Sequence, residues 1–189
     1  MNKPRREQHL IALLCGINVG GNKKVPMAEL RDLATGLGYR HVETYIQSGN
    51  LLFATDFGTA AVEVALEQAI EQRFGFSVEV IVRTAEQWRR YAAGSPFPDA
   101  EAARPNLLLL AASKRPLKPG AAEALRAAAT SGERIEATTD AIWIDFPAGI
   151  GSSKLTPVVL DRAAGSTVTA RNWRTVQRIV EMVRAAEQA

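Results

Sequence analysis

Two short apolar runs, HLIALLCG at residues 9–16 and NLLLLA at residues 106–111, set the strongest limit on how this chain folds. Each is too short for a confident helix and is apolar on both alternating faces. That is the mark of a strand covered on both sides. After each run the same order of signals follows.

In the first half, Pro26 suits the first turn of a helix whose apolar stripe is Leu30, Leu33, Ala34 and Leu37, ended by Gly38. Residues 42–46 and 50–54 read as strands flanking a Gln47-Ser48-Gly49 turn. Val62, Leu66, Ala69, Ile70 and Phe74 fall at helical spacing before Gly75, and residues 77–83 alternate as a strand. In the second half a helix is expected at 119–129, then strands at 134–137 and 141–146 around Thr139-Asp140. Thr156-Pro157 opens a helix that Gly165 stops, and a weak strand spans 167–170. Asn172 then caps a last helix bearing Val176, Ile179, Val180 and Val183 on one face. A short helix containing Trp88 precedes a connector rich in proline and glycine. The expectation is an α+β fold with a duplicated ferredoxin-like βαββαβ motif in two packed halves. The halves are residues 1–93 and 106–189, joined by a connector at 94–105.

Composition narrows the classes. The chain has 189 residues, 47% hydrophobic and 23% charged, which is ordinary for a globular protein with a real core. Its single cysteine, Cys15, excludes an internal disulfide and is expected to be buried and inert in the first strand. The basic start, MNKPRREQHL, lacks the apolar stretch of a signal peptide, and no segment reaches the roughly 18–20 apolar residues that span a bilayer. A cytoplasmic protein without membrane contact is expected. The net charge of +3 is mild, and the basic clusters at 3–6, 23–24, 89–90 and 171–178 are interspersed with acids. Nucleic acid is permitted by this balance but not demanded.

Three polar, glycine-rich signatures carry the functional reading. They are GINVGGNKKVP at 16–26 with YIQSGN at 45–50, GIGSSKLTP at 149–157, and TARNWRT at 169–175. Glycines, side-chain amides and cations together supply N–H donors and positive charge, the means of holding an anion. The ligand-binding residues read from them are Asn18, Gly20, Gly21, Lys24, Gln47, Ser48, Asn50, Ser153, Lys154, Arg171 and Asn172.

Each has a plainer reading. Gly16 and Gly21 stand at P-loop spacing, but Asn22, Lys23, Lys24 and Val25 follow instead of lysine and a hydroxyl residue. ATP hydrolysis by that route is not expected, and a tight strand-to-helix turn explains the glycines. Residues 47–50 suit a hairpin turn, and Ser153 or Thr156 suits ordinary N-capping. Trp173 in a first helical turn favours packing over stacking on a base. His9 and His41 are too few and too separated to suggest a metal site, and Asp140, Asp145 and Asp161 are explained by a turn, a strand edge and a helix surface.

At LLCGINVGG, KVPMAELRDL, YIQSGN, GIGSSKLT and TARNWRTV the chain resembles the bacterial domain of unknown function family 1697, from about residue 9 to 183. The resemblance implies an α+β fold with a duplicated ferredoxin-like motif and implies no particular reaction. In that family arginine is common where this chain has Cys15, which implies weaker or different binding here if that arginine contacts a ligand.

The leading expectation is a protein that binds a phosphate-bearing ligand: a nucleotide, a phosphorylated small molecule or a nucleic-acid backbone. Two alternatives stay open. One is an enzyme acting on a small phosphorylated or carboxylated substrate with Ser48 or Ser153 as nucleophile. The other is a structural or partner-binding protein. No cofactor follows from the sequence. An RNA reader that stacks bases on its sheet is disfavoured, because the first strand carries no aromatic residue.

Overall fold

The first apolar run becomes β1 (Gln8–Leu14), a central strand of seven residues with an antiparallel neighbour on each side. The computed structural model describes residues 7–188, so the basic cluster at residues 3–6 lies outside the described residues. The chain divides into two compact units, Met1–Trp88 with Val180–Ala189, and Arg89–Ile179.

In the first unit β1 is followed by α1 (Met27–Gly36), β2 (Arg40–Tyr45), β3 (Asn50–Thr55), α2 (Thr59–Phe74) and β4 (Val80–Thr84). The sheet order is β2-β3-β1-β4, with every pairing antiparallel. Leu10, Ala12 and Leu14 share one face of β1 with Leu51, Phe53, Val80 and Val82 from its neighbours. Against that face pack Leu30 and Ala34 of α1 and Val62, Leu66 and Ile70 of α2. The four-residue spacing on α2 puts its three anchors on one stripe, each contributing about 1.5–3 kcal/mol by burial. Ile11, Leu13, Leu52 and Ile81, on the opposite face, are also withdrawn from solvent. The two-sided apolar pattern of β1 therefore read correctly.

The second unit repeats the order with β5 (Leu108–Ser113), α5 (Ala121–Ala128), β6 (Arg134–Ala137), β7 (Ala141–Asp145), α6 (Pro157–Ala164) and β8 (Val168–Asn172). Its sheet order is β6-β7-β5-β8, again wholly antiparallel. The fold is thus α+β, with one βαββαβ topology appearing twice. Three further helices lie outside that order: α3 (Ala85–Ala92), α4 (Pro98–Ala103) and α7 (Trp173–Gln188). α4 falls in the stretch read as a plain connector. Pro98 opens it at the first helical position, where a missing N–H costs nothing.

Both sheets protect an edge strand with acidic side chains from the second helix of the same unit. Val80 and Val82 donate their amides to Glu67 and Glu63 at 2.9 and 2.8 Å, and Val168 donates to Asp161 at 2.8 Å. These bonds satisfy donors that would otherwise offer a template for another strand.

Candidate functional site

The loop after β1 is built from left-handed backbone. Gly16, Asn18, Gly20, Gly21 and Lys23 all have φ between 45° and 80°. Asn22 donates its amide to Val19 O at 3.1 Å across Gly20 and Gly21, the pattern of a type I′ turn. The plainer reading of these glycines as turn formers is therefore correct in geometry. Both glycines are exposed, and their own amides donate to no described residue.

Asn18 locks this loop in place. Its side-chain Nδ2 donates to Val25 O at 3.1 Å and to Gln47 O at 2.8 Å, while its Oδ1 accepts from Val25 N at 2.9 Å. Both amide hydrogens are thus committed to backbone, and Asn18 is an internal clamp. The bond to Gln47 also brings the first signature against the hairpin between β2 and β3. Leu14 N donates to Gly49 O at 2.9 Å in the same place. Gly49 is required there, since an added Cβ would lie 2.8 Å from both Leu14 Cβ and Ile17 Cδ1 with φ at 77°. Ile46 takes φ 48°, a conformation that is a true outlier for a β-branched residue.

The remaining first-unit residues divide by exposure. Asn50 is buried, and its Nδ2 donates to Tyr45 O at 2.9 Å and Ser48 Oγ at 3.1 Å, so it braces the turn. The Gln47 side chain is exposed while its carbonyl serves Asn18. Lys23 donates Nζ to Ser77 O at 2.9 Å. Lys24 is exposed and makes no side-chain hydrogen bond or ion pair to a described residue. It stands just before α1, whose N-cap position, Pro26, provides no side-chain cap.

In the second unit the signatures are arranged differently. Ser153 Oγ donates to Glu133 in a very short contact and accepts from Leu155 N at 3.1 Å. Ser152 Oγ donates to the carbonyls of Ala148 and Gly149. The Ser153 hydrogen bond is the main cause that holds the Glu133 carboxyl below its ordinary range. Neither Ser153 nor Thr156 caps α6 with a side chain: Thr156 occupies the N-cap position, but no side-chain cap bond forms. Lys154 is exposed and unpaired among the described residues.

Arg171 lies within β8, which runs to Asn172, two residues beyond the strand end the sequence suggests. It is buried, and its Nη1 donates to Thr169 Oγ1 at 2.9 Å and Ala170 O at 2.8 Å. Its register with Leu110, itself opposite Trp143, places it on the sheet face away from α5 and α6. Asn172 does cap α7, accepting from Thr175 N at 2.9 Å. Trp173 is packed, edge-on to Trp143 with centroids 5.7 Å apart.

Cys15 corrects an expectation: it falls past the end of β1 and is only half-buried. Backbone position explains this, since β1 pairing ends at Leu14 and the left-handed Gly16 turns the chain outward.

Arg83, Asp99 and Arg134 escape the sequence analysis, and Asp145, explained there by a strand edge, is instead fully buried. Arg83 in β4 is the counterpart of Arg171: buried, and followed at once by a helix cap, here reciprocal bonds between Thr84 and Gln87. Its signal was the shared order of strand, arginine, cap and helix. Asp145, fully buried, takes bidentate bonds from Arg104 at 2.7 and 2.6 Å and a further pair from Arg134. Burial pushes its carboxyl up, but the bonds and charges of the two guanidinia outweigh that and hold it below the usual range. Asp99 bridges the same two arginines from α4. This cluster fastens α4 to β6 and β7.

Among the described residues no three His, Cys, Asp or Glu side chains are grouped to hold a metal ion, and no helix is long and apolar enough to cross a membrane. No curated protein matches the chain. The structure is similar to that of the conserved bacterial protein SP0830 from Streptococcus pneumoniae, with a TM-score of 0.72 and 23% identity. That match covers 94% of this chain and 99% of the other, and at such identity it speaks for the fold alone. The family model described as protein of unknown function (DUF1697) matches residues 8–143, and the chain belongs to that family.

Proposed function

We propose that the protein binds a phosphate-bearing anionic ligand at the loop of residues 16–24 and the start of α1. One observation carries the reading: the loop is held by the protein's own bonds through Asn18 and Lys23, yet it leaves the Gly20 and Gly21 amides and Lys24 exposed. A site shaped before its ligand arrives loses less ordering entropy on binding. Backbone amides, an ammonium and an uncapped helix start favour negative charge. The reading is confined to the first unit. In the second, the Glu133 carboxylate occupies Ser153, and Arg171 is bonded within its own strand.

Calorimetry with inorganic phosphate, nucleoside mono-, di- and triphosphates and short oligonucleotides tests this. Lys24→Ala is expected to weaken the best ligand about tenfold, near the 1.5 kcal/mol of a hydrogen bond to a charged group. Lys154→Ala is expected to leave it unchanged. Wild-type protein that binds none of the panel, or equal binding by Lys24→Ala, contradicts the proposal.

A further inference from the structure

Ile46 stands at φ 48°, in the left-handed region that a β-branched residue avoids. A turn alone is better served there by glycine or asparagine. Inward packing does not account for the isoleucine either, because 49% of it stays open to solvent. Strain of this kind gathers at ligand clamps, where surrounding bonds hold it in place. Here those bonds are Asn50 Nδ2 to Tyr45 O at 2.9 Å on one side and Asn18 Nδ2 to Gln47 O at 2.8 Å on the other. The second bond joins the residue after Ile46 to the residue before Val19. Val19, 67% exposed, is the most exposed large hydrophobic residue among the described residues. Single exposed aliphatics are ordinary on a protein surface. This pair is set apart by its place: both stand on fastened loops, and Val19 directly precedes the exposed Gly20 and Gly21 amides.

We propose that Val19 and Ile46 form an apolar platform for the base of a nucleotide whose phosphate lies on the Gly20 and Gly21 amides and Lys24. This inference rests on the anion site proposed above and names the class of ligand that site selects. Apolar side chains cover the faces of nucleobases in many sites. A platform without hydrogen-bonding groups accepts any base, since every base has a flat π-face, and favours purines for their larger area. In a nucleotide the ribose sets the base beside the phosphate, which matches apolar side chains flanking the amide donors. Holding both loops before the ligand arrives keeps the ordering cost low. A membrane surface fits less well: two aliphatic side chains and one unpaired lysine fall short of an anchor, given that even a single myristoyl chain binds only marginally.

Calorimetry on the full chain compares adenosine, guanosine and uridine monophosphates with ribose 5-phosphate and inorganic phosphate. The wild type is expected to bind the purine nucleotides about tenfold more tightly than ribose 5-phosphate, with uridine monophosphate between. That ratio should fall toward one in Val19→Ser and in Ile46→Gly. Glycine adopts φ 48° freely, so Ile46→Gly keeps the fold, which circular dichroism checks; the exposed Val19→Ser decides the matter if it does not. Phe57→Ser removes an exposed ring beyond the opposite end of β3 and should leave the ratio unchanged. Equal wild-type affinity for purine nucleotides and ribose 5-phosphate overturns the platform and leaves the anion site standing. So does a purine preference that survives in the folded loop variants or is lost in Phe57→Ser. Binding of no phosphate compound removes the anion site and the platform with it. Sedimentation with phosphatidylserine vesicles that Ile46→Gly abolishes, without any purine preference, assigns the surface to a membrane and overturns the proposal.

Discussion

The loops at residues 16–24 and 149–154 carry the same ingredients, glycines, small polar residues and lysine, and use them in opposite ways. In the first, Asn18 is bonded wholly to backbone and Lys23 to the Ser77 carbonyl, so no carboxylate is involved and Lys24 faces solvent. In the second, Ser153 is claimed by the Glu133 carboxylate and Ser152 by two carbonyls. The contrast extends beyond the loops: in the second unit Arg104 and Arg134 are turned onto the buried Asp145. A motif's composition thus sets which bonds are available. The acceptors that the fold brings within reach decide whether any donor is left for a ligand.

The largest effect that probes this contrast is at Asp145. Asp145→Asn removes the charge that two partly buried guanidinia share, and breaking such a buried pair typically costs about 3–5 kcal/mol. Urea unfolding followed by the fluorescence of Trp143 and Trp173 reads it in the second unit. The wild type carries a matching pH dependence. Because the folded protein holds the Asp145 carboxyl below its unfolded value, its stabilisation is complete above about pH 4. It disappears as pH falls through the lower folded value, and Asp145→Asn should lose this acid sensitivity.

Gly49→Ala comes next, at about 3 kcal/mol. Its Cβ would meet Leu14 and Ile17 at 2.8 Å in a left-handed backbone. Thermal unfolding measures that loss, and a neutral result would break the account of how hairpin and loop are fastened. Asn18→Ala removes three hydrogen bonds from a half-buried site and should cost about 2 kcal/mol in the same assay. It should also loosen the loop and weaken any ligand bound there. Ser153→Ala is the smallest, about 1 kcal/mol, with no change in ligand affinity. Nuclear magnetic resonance titration should show the Glu133 carboxyl rising toward its ordinary value in that variant.

Much of the fold was legible because it rests on local rules. The apolar runs became β1 and β5, and Gly75 and Gly165 end α2 and α6 in left-handed conformations as expected. β4 begins at Val80 rather than 77, because its pairing with β1 begins where Val80 lies opposite Leu14, the last residue of that strand. α4 is not legible in the sequence because Pro98 reads as a loop breaker, whereas it stands at a first helical position. The site was legible only as a set of residue types. Asn18 was singled out, but its partner is the Gln47 carbonyl, which no side-chain pattern reveals. Glu133 lies 20 residues before Ser153, and their meeting depends on tertiary placement. His9 and His41, well separated in sequence, stack with ring centroids 6.3 Å apart, at a register slip of β2 on β3 between Arg40 and Glu43 that no glycine announces.

The most direct test of the central claim is an amide-resolved magnetic resonance titration of the whole protein with the tightest phosphate-bearing ligand of the calorimetric panel. The account predicts that the largest shifts fall on Gly20, Gly21 and Lys24 and on the first turn of α1, while residues 149–154 stay still. Shifts concentrated on residues 149–154, or none in the loop of residues 16–24 at saturation, would contradict it.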